Sequence, residues 1–237
     1  MPFPFATDKH PWLFDKYLFE GVNNTIEHYE ASTGHNAFDE FALNIEQIFS
    51  WYVEDQIGYR FTTKETGDMP LENGRPSYGF TDYTNKAVTI DHKKPVQTQR
   101  YTMAHELFHV LHHRNFVKAL GPKINDKKLE NQAHTYARCV LMPDDKLRSQ
   151  FVHWKSQHAD FDPTQDEIIF IARGLAGEFN VSVKSALRRM HELKLDNPDK
   201  LSGYLTSIPH VYPFTEGERI FYSVISSTGG LISQMSG

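Results

Sequence analysis

Residues 101–113, YTMAHELFHVLHH, gather four histidines, His105, His109, His112 and His113, with Glu106. In a helix, residues four apart lie one turn apart on one face, so the imidazoles of His105 and His109 reach a single ion. Glu106 follows the first ligand and reaches a water that a divalent ion would acidify, as a general base requires. A purely structural site has no need of that glutamate. A bare HExxH pentapeptide is common, so the rest of the chain must supply a third ligand and a scaffold. A third histidine ten residues after the first would fall on position 115, which is Asn115. Further on, Glu130 and His134 stand one turn apart, and either is able to be the third ligand. His112, seven residues from His105, shares the metal face and is a candidate to contact a substrate, although an exposed helix end explains it and His113 equally well. Cys139 reads as core, and Arg100 as a structural or substrate-carboxylate contact.

Positioning these groups takes a helix set against a sheet. Tyr78 and Phe80, then Ala87 to Ile90, alternate as two short strands joined near Asp82 to Lys86. Pro95 breaks the chain, and a helix is expected from about Thr98 to Arg100 through His113, with Met103 or Ala104, Leu107, Phe108 and Leu111 as its apolar face. A second helix covers about Leu129 to Leu141, where Met142-Pro143 stops it because proline cannot continue the ladder. Further helices follow over Asp145 to His153 or beyond, Asp166 to Phe179, and Ser185 to Leu195, with Ser182 as a cap. The last two have a helix-turn-helix outline, read here as a pair finishing the core rather than reading DNA. Upstream, Phe38, Phe41, Ala42, Ile45, Ile48, Phe49 and Tyr52 recur at threes and fours as one helical face. Turns with one strand at Tyr59 to Thr62 follow. After Asn197 the texture changes to glycines and prolines, with one strand over Arg219 to Ser226 and loose last residues. The expected class is α+β, mainly helical with a small antiparallel sheet beside the HExxH helix.

Composition narrows the setting. At 237 residues the chain fits one main domain with a small appendage. A net charge of −5 excludes broad electrostatic attraction for nucleic acid, and no direct nucleic-acid binding is expected. The single cysteine, Cys139, excludes an intrachain disulfide and any cysteine-based zinc cluster. The start, MPFPFATDKHPWLFDKYLF, has no secretory pattern and no membrane-length apolar run, so a cytoplasmic location is expected.

Three segments in this order, RYTMAHELFHVLHHRN, LENQAHTYARCVLMP and EFNVSVKSALRRMHELKL, closely resemble the ImmA/IrrE-type family of HExxH metallopeptidases. That family includes phage anti-repressor peptidases and the radiation-response peptidase of desiccation-resistant bacteria, and the resemblance covers about residues 78–195. It implies a zincin-like core, zinc as cofactor with manganese as the alternative ion, and a protease working in transcription regulation or stress response. It places the ligands at His105, His109 and Glu130 and the base at Glu106. In the motif that Glu130 opens, Gln132 replaces a glutamate, His134 an asparagine, and Tyr136 the aromatic position. Phe108 stands where a glycine is usual before the second histidine, and reads as packing.

The implied reaction has Glu106 deprotonate a water that attacks a peptide carbonyl, then return the proton to the leaving amine. The oxyanion wants a further donor, and His134, His112, Tyr136 and Tyr101 are the supporting or oxyanion-binding candidates. His134 is able to bond a ligand histidine, compete for the metal or favour another ion. The resemblance also implies the substrate, a helix-turn-helix repressor. The competing reading is a non-catalytic zinc-fold regulator or antitoxin-like binding module. The expected domains are a metallopeptidase domain over 1–195 and a partly β appendage over 196–237.

Overall fold

The computed structural model describes residues 23–65, 71–72, 75–113, 126–161, 166–207, 211–216, 219–225 and 231–234. The chain divides into two compact units between Val140 and Leu141, with residues 40–42 grouped with the second. Among the described residues no helix is long and apolar enough to cross a membrane.

Among the described residues of the first unit, helix α1 over 23–33 comes first. Two-residue strands β1 (Phe38–Asp39) and β2 (Ala42–Leu43) precede α2 (Ile45–Ser50), which continues as a π-helical turn over Trp51–Gln56. The expected helical face from residue 38 is thus only half helical. Asn36 accepts the Phe38 amide through its side chain, and Glu40 turns back at φ 52°, so the chain reverses before the helix begins. The early apolar residues had helical spacing by coincidence.

Strand β3 (Arg60–Lys64) and the short pair β4 (Leu71–Glu72) and β5 (Arg75–Pro76) follow. Then β6 (Gly79–Asp82) and β7 (Ala87–Asp91) form the expected antiparallel hairpin, with Gly79 opposite Ile90 and Asp82 opposite Ala87. Asp82 builds its turn by accepting the amides of Thr84 and Asn85, both at 2.9 Å, while Lys86 takes the left-handed conformation. On the far side of β7, β3 runs parallel, giving the order β3-β7-β6. Strand β7 is buried throughout, as a central strand must be.

Asp91 accepts the Lys93 amide, and Pro95 then starts α3 (Val96–Phe108) two residues before the expected range. The helix is buried on nearly every side, through Arg100, Thr102, Met103, Ala104, Glu106, Leu107 and Phe108. It continues as a π-helical turn over His109–His113. Helix α4 (Asp126–Leu141) is the second predicted helix, three residues longer at its start. Arg100 is a structural contact. Its guanidinium grips both Glu46 oxygens at 2.9 and 2.7 Å and donates to the Leu43 carbonyl at 2.6 Å, tying α3 to the start of α2.

The second unit is helical, then β. Helices α5 (Asp144–Phe161), α6 (Glu167–Glu178) and α7 (Val183–Glu192) match the expected order, and Ser182 caps α7 by accepting the Ser185 amide. Phe41 packs its ring on Phe179 here. Arg189 of α7 donates to the Met142 carbonyl and pairs with Asp144, which satisfies the chain at the Met142-Pro143 stop. The tail holds more structure than expected. Helix α8 (Pro198–Ser207), started by Pro198 and the Asn197 side chain, precedes an antiparallel sheet of β8 (Val211–Glu216), β9 (Arg219–Ile225) and β10 (Leu231–Gln234). Only β9 had an alternation long enough to read.

Replacing Arg100 with methionine keeps the buried stem but strands the Leu43 carbonyl, so it should cost about 1.5–3 kcal/mol, the range for charge-assisted hydrogen bonds. Urea unfolding of parent and variant measures it, and an unchanged midpoint would show that the grip is dispensable.

Candidate metal centre

Helices α3 and α4 meet along an antiparallel crossing. His105 and His109, one turn apart on α3, face Glu130 on α4. The His105 Nε2 lies 3.2 Å from one Glu130 oxygen, His109 Nε2 lies 3.2 Å from the other, and the two Nε2 atoms are 3.1 Å apart. Each of these separations suits a pair of donors on one divalent ion. Adjacent donors on a tetrahedron with bonds of roughly 2.0–2.1 Å are about 3.3 Å apart, close to each pairwise separation here, and two imidazoles with one carboxylate are a known hydrolytic donor set.

His134, one turn beyond Glu130, has a donor within 4.8 Å of those of His105 and Glu130. His109 and His134 thus both stand close to the pair formed by His105 and Glu130. The His134 ring lies 4.6 Å from that of His105 and stacks at 6.0 Å on Tyr101, whose hydroxyl is 3.2 Å from His134 Nδ1. Desolvation, then the neighbouring His105 and Arg138, holds His134 down to about 4, so it is neutral at neutral pH. Hydrogen bonds from the two histidines hold Glu130 well below the usual carboxylate range.

Glu106 points the other way, toward the sheet. It is buried, and Thr81 of β6 donates to its Oε2 at 2.6 Å. Burial pushes its carboxyl up, against lowering by His105, His109 and the Thr81 bond. Gly79 lies beside it. A Cβ there would stand 2.3 Å from Thr102 Cγ2 and 3.0–3.1 Å from Glu106 Oε1 and Cγ, so only glycine admits this approach. From the hairpin turn, Tyr83 donates its hydroxyl to the His109 carbonyl at 3.2 Å.

A model of the IrrE N-terminal-like domain, a metallopeptidase family, matches residues 65–191. The chain belongs to this family. Membership makes the α+β architecture a zincin-like one and implies a metal. A Mycobacterium tuberculosis transcriptional regulator is similar in structure at 11% identity and a TM-score of 0.47, over 91% of this chain and 55% of its own. The chain therefore spans about half the length of that protein. No curated protein matches the chain in sequence.

In this member of the family, the residues singled out by sequence fall into three groups. His105, His109, Glu130, His134 and Tyr101 come together at the crossing, with Glu106 on the adjoining face of α3 toward the sheet. Tyr136 does not join them. It is fully buried, with its ring 5.6 Å from Phe108 and its hydroxyl beside Thr25, which is a core position and speaks against an oxyanion role. The side chain of His112 lies outside the described residues. Phe108 packs, at 1% exposure, and Cys139 is core. Sequence reasoning missed Gly79, Thr81, Tyr83 and Arg138. For the first two a signal existed: with Tyr78 and Phe80 facing outward, alternation sends Gly79 and Thr81 inward.

Gly79→Ala should destabilise the chain by about 1–3 kcal/mol, as overpacking does, and displace Glu106 without touching a metal donor. Urea unfolding and metal stoichiometry together check this. Unchanged stability would mean that Thr102 yields freely.

Proposed function

We propose that this protein is a zinc-dependent endopeptidase, with manganese as the alternative ion, that hydrolyses a peptide bond in a helix-turn-helix transcriptional repressor. The observation that carries the reading is the cluster of two imidazoles and one carboxylate, with donor separations of 3.1–3.2 Å, beside a glutamate fixed by its own hydrogen bond. His105, His109 and Glu130 hold the ion. When bound, it polarises a carbonyl and acidifies a water. Glu106, its carboxyl held in plane by Thr81, takes the proton from that water and passes it to the leaving amine. Strand β6, an edge among the described residues, offers main-chain pairing to an extended substrate beside Glu106.

The repressor as substrate comes from the family resemblance, and it sets the reaction in the cytoplasm without direct contact to nucleic acid. The reading takes residues 1–195 as the peptidase domain and 196–237 as an appendage.

The test uses purified chain with its metal retained, incubated with the helix-turn-helix protein encoded nearest its gene. Glu106→Gln should keep one ion per chain and lose at least about 100-fold in cleavage, the lower range for a general base. His105→Ala and His109→Ala should lose the ion. Cleavage by Glu106→Gln at full metal content would remove Glu106 from the chemistry. Metal without cleavage by the parent favours the non-catalytic regulator, and a parent that binds no metal overturns the reading.

A further inference from the structure

Hydrogen bonds in the sheet of β3, β7 and β6 fix which way each residue of β6 turns. Asp91 donates its amide to the Tyr78 carbonyl at 2.9 Å, and Gly79 stands opposite Ile90. In an antiparallel ladder, pairs that exchange bonds alternate with pairs that do not. Tyr78, Phe80 and Asp82 therefore turn their main-chain groups toward β7, while Gly79 and Thr81 turn theirs toward the open edge. The Ser77 hydroxyl marks that edge, since it donates to the Gly79 carbonyl and accepts the Gly79 amide at 3.3 Å. Among the described residues no strand lies beyond β6, so Thr81 presents the next outward amide and carbonyl.

Side chains alternate between the two faces of the same strand. Gly79 and Thr81 face α3, where Thr102 crowds Gly79 and Thr81 donates to Glu106. Tyr78 and Phe80 face the other way. Lys94 covers the Tyr78 ring, its Nζ 4.7 Å from the centroid. Among the described residues no cation or ring covers Phe80, which is 41% exposed. Opposite it on β7 stands Thr89, whose hydroxyl bonds that of Thr62 at 2.8 Å, so Phe80 has no large apolar partner in its own sheet. An aromatic ring left open on an edge strand invites a paired chain, which most edges avoid with charge or proline.

We infer that Phe80 is a specificity-determining residue for an extended substrate segment that pairs on the open edge of β6 and packs a bulky apolar side chain on its ring. One residue of the segment exchanges main-chain bonds with Thr81 and points its side chain toward α3, as Thr81 does. Its neighbour, opposite Phe80, points away from α3 and lies over the ring, since residues opposite each other in a sheet share a face. The Ser77 hydroxyl already engages both Gly79 groups, which anchors the register at Thr81. The substrate class is thus a polypeptide stretch able to lie extended, with leucine, isoleucine, methionine or phenylalanine at the position over Phe80. The inference rests on the peptidase reading for the segment being a substrate, and on the ladder of β6 and β7 for the subsite.

Two heptapeptide probes test it, acetylated Lys-Thr-Leu-Thr-Leu-Thr-Lys and its counterpart with alanine in place of both leucines. Each is titrated, with zinc present, into the full chain carrying Glu106→Gln, so that no cleavage intervenes. Amide spectra follow Thr81, and the titration curves give the affinities. The leucine probe should shift and protect the Thr81 amide and bind about fivefold more tightly than the alanine probe, the upper end for a cross-strand apolar pair. Phe80→Thr, a strand-forming change at an exposed position, should abolish the difference, and Phe80→Leu should keep most of it. Equal binding of the two probes, a difference that survives Phe80→Thr, or a Thr81 amide that neither probe moves overturns the inference. Binding is read without cleavage, so a parent chain that cuts neither probe nor repressor defeats the peptidase reading, while the probe affinities still decide the Phe80 subsite.

Discussion

Two imidazole nitrogens held 3.1 Å apart, each 3.2 Å from one oxygen of the same carboxylate, are the constraint around which the first unit is arranged. Without a proton or a cation between them they repel, so the packing around them has to keep them in place. Leu107 and Phe108 on α3, and Ala133, Tyr136 and Ala137 on α4, are all buried, and Phe108 meets Tyr136 across the crossing. Each fully buried large apolar side chain contributes roughly 1.5–3 kcal/mol. A few such residues on both helices suffice to offset a strained donor cluster, and the ligands themselves need contribute nothing to stability. The departure from glycine at Phe108 belongs here: its ring strengthens the anchor directly next to His109.

The second constraint is that Glu106 must face a different neighbour from the histidines it stands between. On a helix, adjacent residues diverge by about 100°, so if His105 and His109 face α4, Glu106 faces elsewhere. The sheet receives it. Strand β6 meets that face with its smallest residue, Gly79, and with a hydroxyl, Thr81, two residues on, while Asp82 closes the turn that sends Tyr83 back to the His109 carbonyl. The hairpin therefore touches both the Glu106 carboxyl and the His109 backbone, which makes its register part of the candidate site.

Much of this was legible in residue spacing, for a reason that also marks its limit. Contacts within an element follow its period, so the pairing of His105 with His109 and of Glu130 with His134 could be read directly. The alternation of Tyr78 and Phe80 marked β6 in the same way. Contacts between elements depend on how those elements cross, which no period encodes. Two candidate third ligands were open on spacing alone, and the crossing brings Glu130 tightest. Tyr136, a plausible oxyanion donor by register, turns into the core because it lies six residues from Glu130, on another side of α4. The stretch from Phe38 shows the converse failure, where a left-handed Glu40 broke a period that the apolar residues alone suggested. In the tail, α8 has a single buried apolar residue, Leu201, too weak a pattern to announce a helix.

A ladder of contacts in steps of four residues, His109, His105 and Tyr101 against Glu130, His134 and Arg138, joins these constraints into one. Because α3 and α4 run antiparallel, each step down one helix is matched by a step along the other, so the His105–His109–Glu130 cluster, the Tyr101–His134 pair and Arg138 share a single axial and rotational register. Inserting one residue in α4 between Glu130 and His134 would rotate the later layers by about 100° relative to the first. The supporting layers thus cannot drift independently of the ligands. Replacing a residue in the ladder changes one layer, whereas shifting the crossing changes all of them together.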